Sequence, residues 1–329
     1  MSYMNKIKWG IIGCGDVTEI KSGPGFSKAD NSELVAVMRR DAQKAADYAR
    51  RHNVPRWYTD ANDLINDPQV DAVYVATPPL YHLEYTMASL KAGKPVYVEK
   101  PMTLNAEDAR KMTEAEAFYN SRLSVAHYRR ALPLFIKIKE LLDAGAIGDV
   151  RFVNLKMLQP HNSDLITKTH DNWRVNPEVS GGGLFHDLAP HQLDLMLFYF
   201  GKVKSYHGLA VNQAAHYPAD DLVTGEILFE NNVIFQGLWC FTVAPQEKTD
   251  QIEIVGSKGT IRFAVFGQEY YEISIGGKTE RFEIATPEHI QQPMIQKVVN
   301  YFLGKEVNPS TATTGLEVMS IIDSFCGKK

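Results

Sequence analysis

Paired cysteines, long apolar runs and a surplus of basic residues are missing from this sequence, and each absence argues against a class of protein. The three cysteines, Cys14, Cys240 and Cys326, lie far apart. Sparse, unpaired cysteines predict reduced thiols in a cytoplasmic protein rather than a disulfide framework. No apolar run approaches the ~20 residues that a membrane span requires. The polar start of the chain leads directly into an apolar strand pattern, so neither a membrane contact nor a signal peptide is expected.

Charge and histidine placement narrow the choice further. The formal net charge is -4 at pH 7, with Lys and Arg scattered along the chain, so the basic surface that binds nucleic acid is not expected. The Gly-x-Ser-x-Gly elbow of a serine hydrolase does not occur. No metal site is predicted, because the cysteines are isolated and four further histidines are too dispersed to form a ligand set. These are His161, His170, His207 and His216.

In the first part of the chain, strand-like and helical segments alternate as they do in an α/β domain. With 329 residues the chain is long enough for two domains. Short runs rich in Val, Ile and Tyr alternate with stretches of helical periodicity, which predicts βαβ units and a parallel sheet. The predicted strands are residues 8–12, 33–38, 72–76, 95–99 and 123–127. We therefore assign residues 1–126 to a first domain of the α/β class.

After residue 150 the alternation of strands and helices gives way to a succession of strands. Seven strand-like runs follow, several of them separated by short turn signals such as Gly276-Gly277, and strands joined in this way predict a mostly antiparallel sheet. The runs are residues 150–158, 203–211, 222–229, 233–241, 251–255, 260–265 and 270–275. Helices are predicted at 294–303 and 315–325, with a connecting helix at 133–144. Residues 127–329 are therefore assigned to an α+β domain.

A glycine-rich turn follows the first strand. The residues Gly13-Cys14-Gly15-Asp16-Val17-Thr18 leave this strand and open a helix. Glycines here let the backbone turn tightly and approach a pyrophosphate, as in dinucleotide-binding Rossmann domains. Gly13, Gly15, Asp16 and Val17 are therefore predicted to bind an NAD(P) cofactor. The alternative interpretation is an ordinary turn between a strand and a helix.

The end of the second strand bears on the choice of cofactor. An NAD enzyme usually has an acidic residue here that binds the ribose 2′-hydroxyl, whereas this chain reads Arg39-Arg40-Asp41. Guanidinium groups bind a 2′-phosphate through forked donors and offer a planar face to adenine. The two arginines favour NADP, with NAD as the alternative. Asp41 is either a displaced ribose ligand or the cap of the helix that follows.

Three more segments carry a resemblance to a known family. Residues 76–82 (Ala-Thr-Pro-Pro-Leu-Tyr-His) and 99–101 (Glu-Lys-Pro) each lie at the carboxyl end of a predicted strand, where open α/β sheets bind ligands. Residues 181–194 read Gly-Gly-Gly-Leu-Phe-His-Asp-Leu-Ala-Pro-His-Gln-Leu-Asp. In this order, the set resembles the glucose-fructose oxidoreductase and inositol dehydrogenase family (Gfo/Idh/MocA). The resemblance covers essentially the whole chain.

The resemblance implies a fold and an activity. The fold is a nucleotide-binding Rossmann domain followed by a domain with a large open, mostly antiparallel sheet, one face of which commonly forms an oligomer interface. A homodimer or homotetramer built through that sheet is therefore expected. The activity is NAD(P)-dependent hydride transfer between nicotinamide and a secondary alcohol or carbonyl of a sugar, polyol or diol.

Carried over by position, the resemblance makes Lys100, Asp187 and His191 the catalytic trio. Alcohol oxidation needs a base, for which His191 is suited, and a donor such as Lys100 to stabilise negative charge on the reacting oxygen. Asp187 would orient His191 or bind a neighbouring hydroxyl. If one helix spans both, their spacing places them on one face, whereas Pro190 favours a helix that begins after Asp187. From spacing alone, a packing histidine and a capping aspartate are equally good interpretations.

Further residues complete the predicted site. Those expected to contact the cofactor are Thr77, Pro78, His82 and Glu99. Those expected to bind substrate are Tyr128, Arg129, Trp173, Arg174 and His186. Trp173 and Arg174 offer a stacking face and a cation, and His186 introduces a second imidazole that would share the proton path. For Tyr128, Arg129, Trp173 and Arg174, packing between domains is the alternative role.

Two other functions are compatible with the same motifs. Some relatives of the family keep nicotinamide tightly bound and cleave glycosidic bonds through transient oxidation. Others are nucleotide-binding regulators without catalytic activity. The presence of Lys100, Asp187 and His191 in this sequence argues against a regulator.

Overall fold

The computed structural model describes residues 5–165 and 172–328, and the chain forms two compact units. The first unit consists of Met1–Leu132 and Pro287–Met319, and the second of Pro133–Thr286 and Ser320–Lys329. This division differs in two respects from a boundary at residue 126. The first unit continues to Leu132, and a segment from the C-terminal part of the chain returns to it.

The returning segment is held by contacts that its position in the sequence does not reveal. The side chain of Gln291 donates to Glu99 at 2.7 Å, and the amide of Val125 donates to the carbonyl of Ser310 at 2.9 Å. Helix Gln292–Phe302 has a buried apolar face. That face packs within the first unit, which is why the segment belongs there.

The first unit contains a six-stranded parallel sheet. Its strands are β1 (Ile7–Ile12), β2 (Ser32–Met38), β3 (Arg56–Tyr58), β4 (Ala72–Val75), β5 (Val96–Val98) and β6 (Leu123–Val125). They lie in the order β3-β2-β1-β4-β5-β6, and every neighbouring pair is parallel. This is the strand order of a Rossmann domain. The α/β prediction is confirmed, and β3 is the strand that the sequence did not predict.

Seven helices lie wholly within the described residues of the first unit. They are α1 (Asp16–Ile20), α2 (Gly23–Lys28), α3 (Ala42–Arg51), α4 (Ala61–Asn66), α5 (His82–Lys91), α6 (Ala106–Phe118) and α10 (Gln292–Phe302). Side-chain caps begin three of them, with Asp41, Asp60 and Asn105 accepting backbone amide hydrogens. Because β1, β4 and β5 are parallel neighbours, their carboxyl ends lie at the same edge of the sheet.

The second unit contains the eight-stranded sheet. Its strands are β7 (Val150–Leu158), β8 (Val203–Val211), β9 (Leu222–Phe229), β10 (Ile234–Cys240), β11 (Thr249–Gly256), β12 (Gly259–Phe263), β13 (Tyr270–Ile275) and β14 (Lys278–Glu283). The order is β14-β13-β12-β11-β7-β10-β9-β8. Strands β7 and β10 pair in parallel and the other neighbours pair antiparallel. The prediction of a large, mostly antiparallel sheet is therefore confirmed.

Helices cover one face of this second sheet. They are α7 (Pro133–Asp143), α9 (Leu184–Phe200) and the end of α11 (Ala312–Phe325), which begins in the first unit. The short helix α8 (Pro177–Ser180) precedes α9. Strand β9 shows the resulting alternation, because Val223, Ile227 and Phe229 are fully buried while Thr224 between them is exposed. The sheet thus has one packed face and one open face.

A row of three glycines lies on the packed face, and two of them lie under the end of α11. Gly208, Gly225 and Gly237 are neighbours across β8, β9 and β10. A Cβ atom at Gly225 would lie 2.2 Å from Cε2 of Phe325, and one at Gly208 would lie 2.8 Å from Cδ1 of the same ring. The Phe325 ring therefore lies directly on the backbone of the sheet, a contact that only glycine permits.

Two observations concern the chemical setting of the chain. Cys14, Cys240 and Cys326 are all free thiols. Within residues 5–165 and 172–328, no helix combines the length and apolarity that crossing a bilayer requires.

Candidate active site

The glycine turn between β1 and α1 packs tightly against the loop that follows β4. Gly13 has a φ of +93°, and a Cβ atom there would lie 2.8 Å from the amide nitrogen of Thr77. The amide of Gly13 donates to the carbonyl of Met38 at the end of β2, at 2.9 Å. At Gly15, by contrast, the nearest atom to an added Cβ lies 3.9 Å away. The turn therefore leaves an open backbone edge at Gly15, which fits the close approach of a pyrophosphate.

The residues after β2 supply positive charge beside this turn. Nη1 of Arg39 donates to the carbonyl of Cys14 at 3.1 Å. The exposed Arg40 holds its guanidinium 5.0 Å from the ring centroid of Tyr81. The carboxylate of Asp41 accepts from the amide of Lys44 at 3.1 Å and caps α3. Of the two roles considered for Asp41, the geometry favours the helix cap, which leaves the two guanidiniums as the charged groups at the end of β2.

The loops after β4 and β5 meet at the ring of His82, the first residue of α5. This side chain is completely buried. Its Nε2 lies 2.8 Å from the carbonyl oxygen of Thr77, and its Nδ1 lies 2.9 Å from the carbonyl oxygen of Pro101. Burial lowers the pKa of His82. The structure therefore places this predicted cofactor ligand in contact with two backbone segments.

Glu99 anchors the backbone from which the Lys100 side chain extends. The buried carboxylate accepts hydrogen bonds from the hydroxyl of Tyr74 at 2.5 Å and from Nε2 of Gln291 at 2.7 Å. Its second oxygen accepts from the backbone amide of Lys100 at 3.1 Å. Burial and the nearby carboxylate raise the pKa of Tyr74 well above its usual value. The sequence indicated Glu99 but offered no signal for Gln291, which lies 192 residues away.

Helix α9 in the second unit carries both Asp187 and His191. Gly183, with a φ of +81°, precedes the helix, and Pro190 lies inside it. The alternative in which the helix begins after Asp187 is therefore wrong. A proline in a helix lacks the amide hydrogen that bonds the carbonyl four residues back, and here the helix continues despite that loss. Because the helix spans both residues, their i, i+4 spacing places them on one face.

Asp187 belongs to a cluster with two predicted substrate-binding residues. Nε of Arg174 lies 3.3 Å from Oδ2 of Asp187, and both side chains are mostly buried. The guanidinium of Arg174 lies 4.4 Å from the ring centroid of Trp173. On the same helix, His191 is buried with its ring edge-on to Phe266, at 5.6 Å between centroids. The second unit thus brings together residues from separate motifs.

His186 has a different environment. Its buried ring faces Gly182, and its Nε2 lies 3.2 Å from Nζ of Lys328, which also donates to the carbonyl of Gly181 at 2.5 Å. Burial, followed by the charge of Lys328, lowers the pKa of His186 to about 3. An imidazole with this pKa is neutral at pH 7 and is a weak base. These contacts favour His191 as the base over a proton path shared with His186.

The remaining predicted residues lie after β6. Tyr128 and Arg129 are in a 3₁₀ turn, Tyr128–Ala131, with Tyr128 buried and the guanidinium of Arg129 5.4 Å from its ring centroid. They belong to the first unit, together with Lys100 and the predicted cofactor residues. Trp173, Arg174, Asp187 and His191 belong to the second. In the described part of the chain, no cluster of His, Cys, Asp and Glu has the arrangement of a metal site.

Comparison with known proteins matches both parts of the chain to family models. Residues 7–127 match a model described as an oxidoreductase family with an NAD-binding Rossmann fold. Residues 135–262 match the model of the GFO/IDH/MocA C-terminal domain. The first matched region contains the six-stranded sheet, and the second contains most of the eight-stranded sheet.

Three similar proteins support the same assignment. An oxidoreductase of Formosa agariphila is 47% identical over 325 residues, which are 98% of this chain and 99% of that protein. The D-xylose 1-dehydrogenase (NADP(+)) of Hypocrea jecorina is 36% identical over 201 residues, 57% of this chain and 51% of that one. The crystal structure of an aldose-aldose oxidoreductase from Caulobacter crescentus, complexed with glycerol, shares the fold with a TM-score of 0.85 and 22% identity, over 97% of this chain and 96% of that one. The chain is a member of the Gfo/Idh/MocA family of NAD(P)-dependent oxidoreductases.

Proposed function

We propose that this protein transfers a hydride between NADP and a secondary alcohol or carbonyl carbon of a sugar, polyol or diol. The observation that carries the proposal is the buried Glu99 carboxylate, which fixes the backbone of Lys100 at the carboxyl end of β5. The placement of Asp187 and His191 on one face of α9 supports it. When bound, the nicotinamide supplies or accepts the hydride, and this chain's residues handle the accompanying proton and charge.

Each member of the trio has a distinct chemical role. His191 accepts the hydroxyl proton on an imidazole nitrogen during oxidation and returns it during reduction. Nζ of Lys100 donates a hydrogen bond to the reacting oxygen and stabilises the negative charge that develops there. Asp187, held by Arg174 at 3.3 Å, orients His191 or a neighbouring substrate hydroxyl.

The cofactor and substrate have separate sets of proposed ligands. The turn residues Gly13, Gly15, Asp16 and Val17 hold the pyrophosphate, because the open edge at Gly15 admits it. Thr77 and Pro78 line the nicotinamide side. The ring of Trp173 stacks on the C–H face of a sugar-like substrate. Two of the three similar proteins are named for aldose chemistry, which supports this substrate class.

Replacing Arg40 with alanine is expected to weaken the binding of NADPH more than that of NADH. Arg40 is exposed beside Tyr81, whereas Arg39 already donates to the turn. A lost hydrogen bond to a charged group costs ~1.5–3 kcal/mol, so we expect KM for NADPH to rise roughly ten- to a hundredfold. KM for NADH should change less than about twofold, because NADH lacks the 2′-phosphate. Steady-state kinetics with both cofactors measures this ratio.

The matched control is Arg50→Ala, in which another exposed arginine, at the end of α3, loses its pairing with Asp47. It should leave both KM values unchanged. If Arg40→Ala leaves the ratio of the two KM values at its wild-type level, the choice of NADP over NAD loses its support.

A substrate panel tests the reaction itself. Aldoses, polyols and vicinal diols are assayed with NADP⁺, and the corresponding carbonyl compounds with NADPH, by absorbance at the nicotinamide band. Turnover with at least one of them is expected, and it should be faster with NADP(H) than with NAD(H) at equal concentration. If no compound turns over while the purified protein carries tightly held nicotinamide, a transient-oxidation enzyme becomes the better assignment.

We also propose a homodimer or homotetramer formed through the open face of the second sheet. An apolar row crosses that face, with the residues aligned in neighbouring strands: Leu228, Ile234, Phe152 and Val255. Phe152 and Ile234 are exposed despite their size. Light scattering should give a mass of two or four chains, and a monomer would contradict the proposal.

We further propose that the protein works in the cytoplasm, because its three free thiols suit a reducing compartment. Cell fractionation tests this location.

A further inference from the structure

The ring of His82 connects the loop that carries Lys100 to the loop that carries the proposed cofactor contacts Thr77 and Pro78. Its nitrogens lie 2.8 Å from the carbonyl oxygen of Thr77 and 2.9 Å from that of Pro101. Thr77 follows β4, and Pro101 is the residue immediately after Lys100. The side chain has no solvent exposure. Both ends of the imidazole therefore face backbone rather than an open groove.

We infer that His82 is a positioning residue that holds the Lys100 segment in register with the loop after β4. The inference rests on the proposed role of Lys100. In its neutral form the ring donates one hydrogen bond at a time, to either carbonyl, and in its charged form it donates to both. In both cases the ring fills the space between the loops and limits how far the Pro101 carbonyl moves from Thr77.

The loop after β5 depends on this contact more than the loop after β4 does. Pro78 and Pro79 restrict the β4 loop, which continues into the 3₁₀ turn Pro79–Tyr81. The segment after Lys100 has no regular structure until α6 begins at Ala106. Met102, buried beside Gly315, is its next anchor. Without His82, the Lys100 backbone keeps its contact with Glu99 but loses the one that follows it.

This geometry distinguishes a positioning residue from a cofactor ligand. A ligand would present at least one ring nitrogen to the nicotinamide or its ribose, and its loss would weaken cofactor binding. A positioning residue would leave cofactor affinity almost unchanged and would lower kcat, because a displacement of ~1 Å at a reacting group costs roughly 10²-fold in rate.

Two substitutions separate these outcomes. His82→Phe keeps a ring and removes both nitrogens, and His82→Gln replaces the imidazole with an amide group that still donates hydrogen bonds. We expect kcat to fall by roughly ten- to a hundredfold in His82→Phe and by less in His82→Gln. The dissociation constant for NADPH, measured by fluorescence quenching, should stay within about threefold in both. The inference would be overturned if both variants had the kcat of the wild-type protein, or if either lost much of its affinity for NADPH.

A double-mutant cycle shows whether His82 acts through Lys100. His82→Phe and His82→Gln are each combined with Lys100→Met, and hydride transfer is followed in single turnovers with enzyme in excess. In the Lys100→Met background, each His82 change should alter the rate by less than about twofold. The same loss in both backgrounds would overturn the positioning role while leaving the role of Lys100 intact. Full activity of Lys100→Met alone would instead contradict the proposed function. Circular dichroism verifies folding, and His82→Gln carries the test if His82→Phe unfolds.

Discussion

We expect Lys100→Met to lower kcat on the order of 10²- to 10³-fold, because it removes the proposed preorganised donor to the developing oxyanion. Methionine retains the unbranched apolar part of the lysine side chain but has no ammonium group to donate a hydrogen bond. The backbone amide of Lys100 still donates to Glu99, at 3.1 Å in the native chain. The loss should therefore fall on the chemical step rather than on folding.

Steady-state and single-turnover kinetics with the best substrate of the panel measure this effect. Lys91→Met is the matched control, because Lys91 is exposed at the end of α5 and lies outside the proposed site. It should keep its kcat within about twofold of wild type. Activity of Lys100→Met at the level of this control would remove Lys100 from the mechanism.

Gly225→Val is expected to destabilise the second unit by about 3 kcal/mol or more, at the upper end of what overpacking a core costs. A Cβ atom at this position would lie 2.2 Å from Cε2 and 2.3 Å from Cζ of Phe325. Neither atom can move away easily, because Phe325 is fully buried and lies near Trp239, with 6.2 Å between ring centroids. Thermal and denaturant unfolding followed by circular dichroism measures the loss.

Two comparisons identify the cause of this loss. Thr224→Val introduces the same side chain on the adjacent residue of β9, where it points to the open face. It removes the hydrogen bond from the Thr224 hydroxyl to the carbonyl of Gly237, 3.1 Å long, and should therefore cost only about 0.5–1.5 kcal/mol. Phe325→Ala should be destabilising alone but should accommodate Gly225→Val better than the native ring does. Additive losses in the double variant would show that the ring and the glycine do not interact.

The buried strands of both sheets are predictable because burial restricts the choice of side chain. All four residues of β4 are buried, and β9 alternates between the two faces of its sheet. Strands β3 and β14 were not predicted. Each lies at the edge of its sheet, and every residue of β14 is exposed. Backbone hydrogen bonds hold such a strand without demanding apolar side chains.

The candidate site shows a similar division. The family resemblance indicated Lys100, Asp187 and His191, whereas spacing alone left a capping role for Asp187 and a packing role for His191 equally good. The partners of these motifs come from distant segments, as when Lys328 reaches His186 across 142 residues. The two possible roles of Asp41 could be separated only by the position of its carboxylate at the amide of Lys44. Periodicity and spacing describe local order and contain no information on such contacts.

The return of residues 287–319 to the first unit has a consequence for synthesis on the ribosome. The strands of the Rossmann sheet emerge early, but α10, whose Ile295 packs against Gly25 of α2, emerges after the whole eight-stranded sheet. A nascent chain ending at residue 286 would still lack Gln291 beside the Glu99 carboxylate. The domain that is first in the sequence is therefore expected to complete its fold only after the strands of the eight-stranded sheet have been synthesised, and a ribosome-bound chain should acquire cofactor affinity only after α10 has emerged.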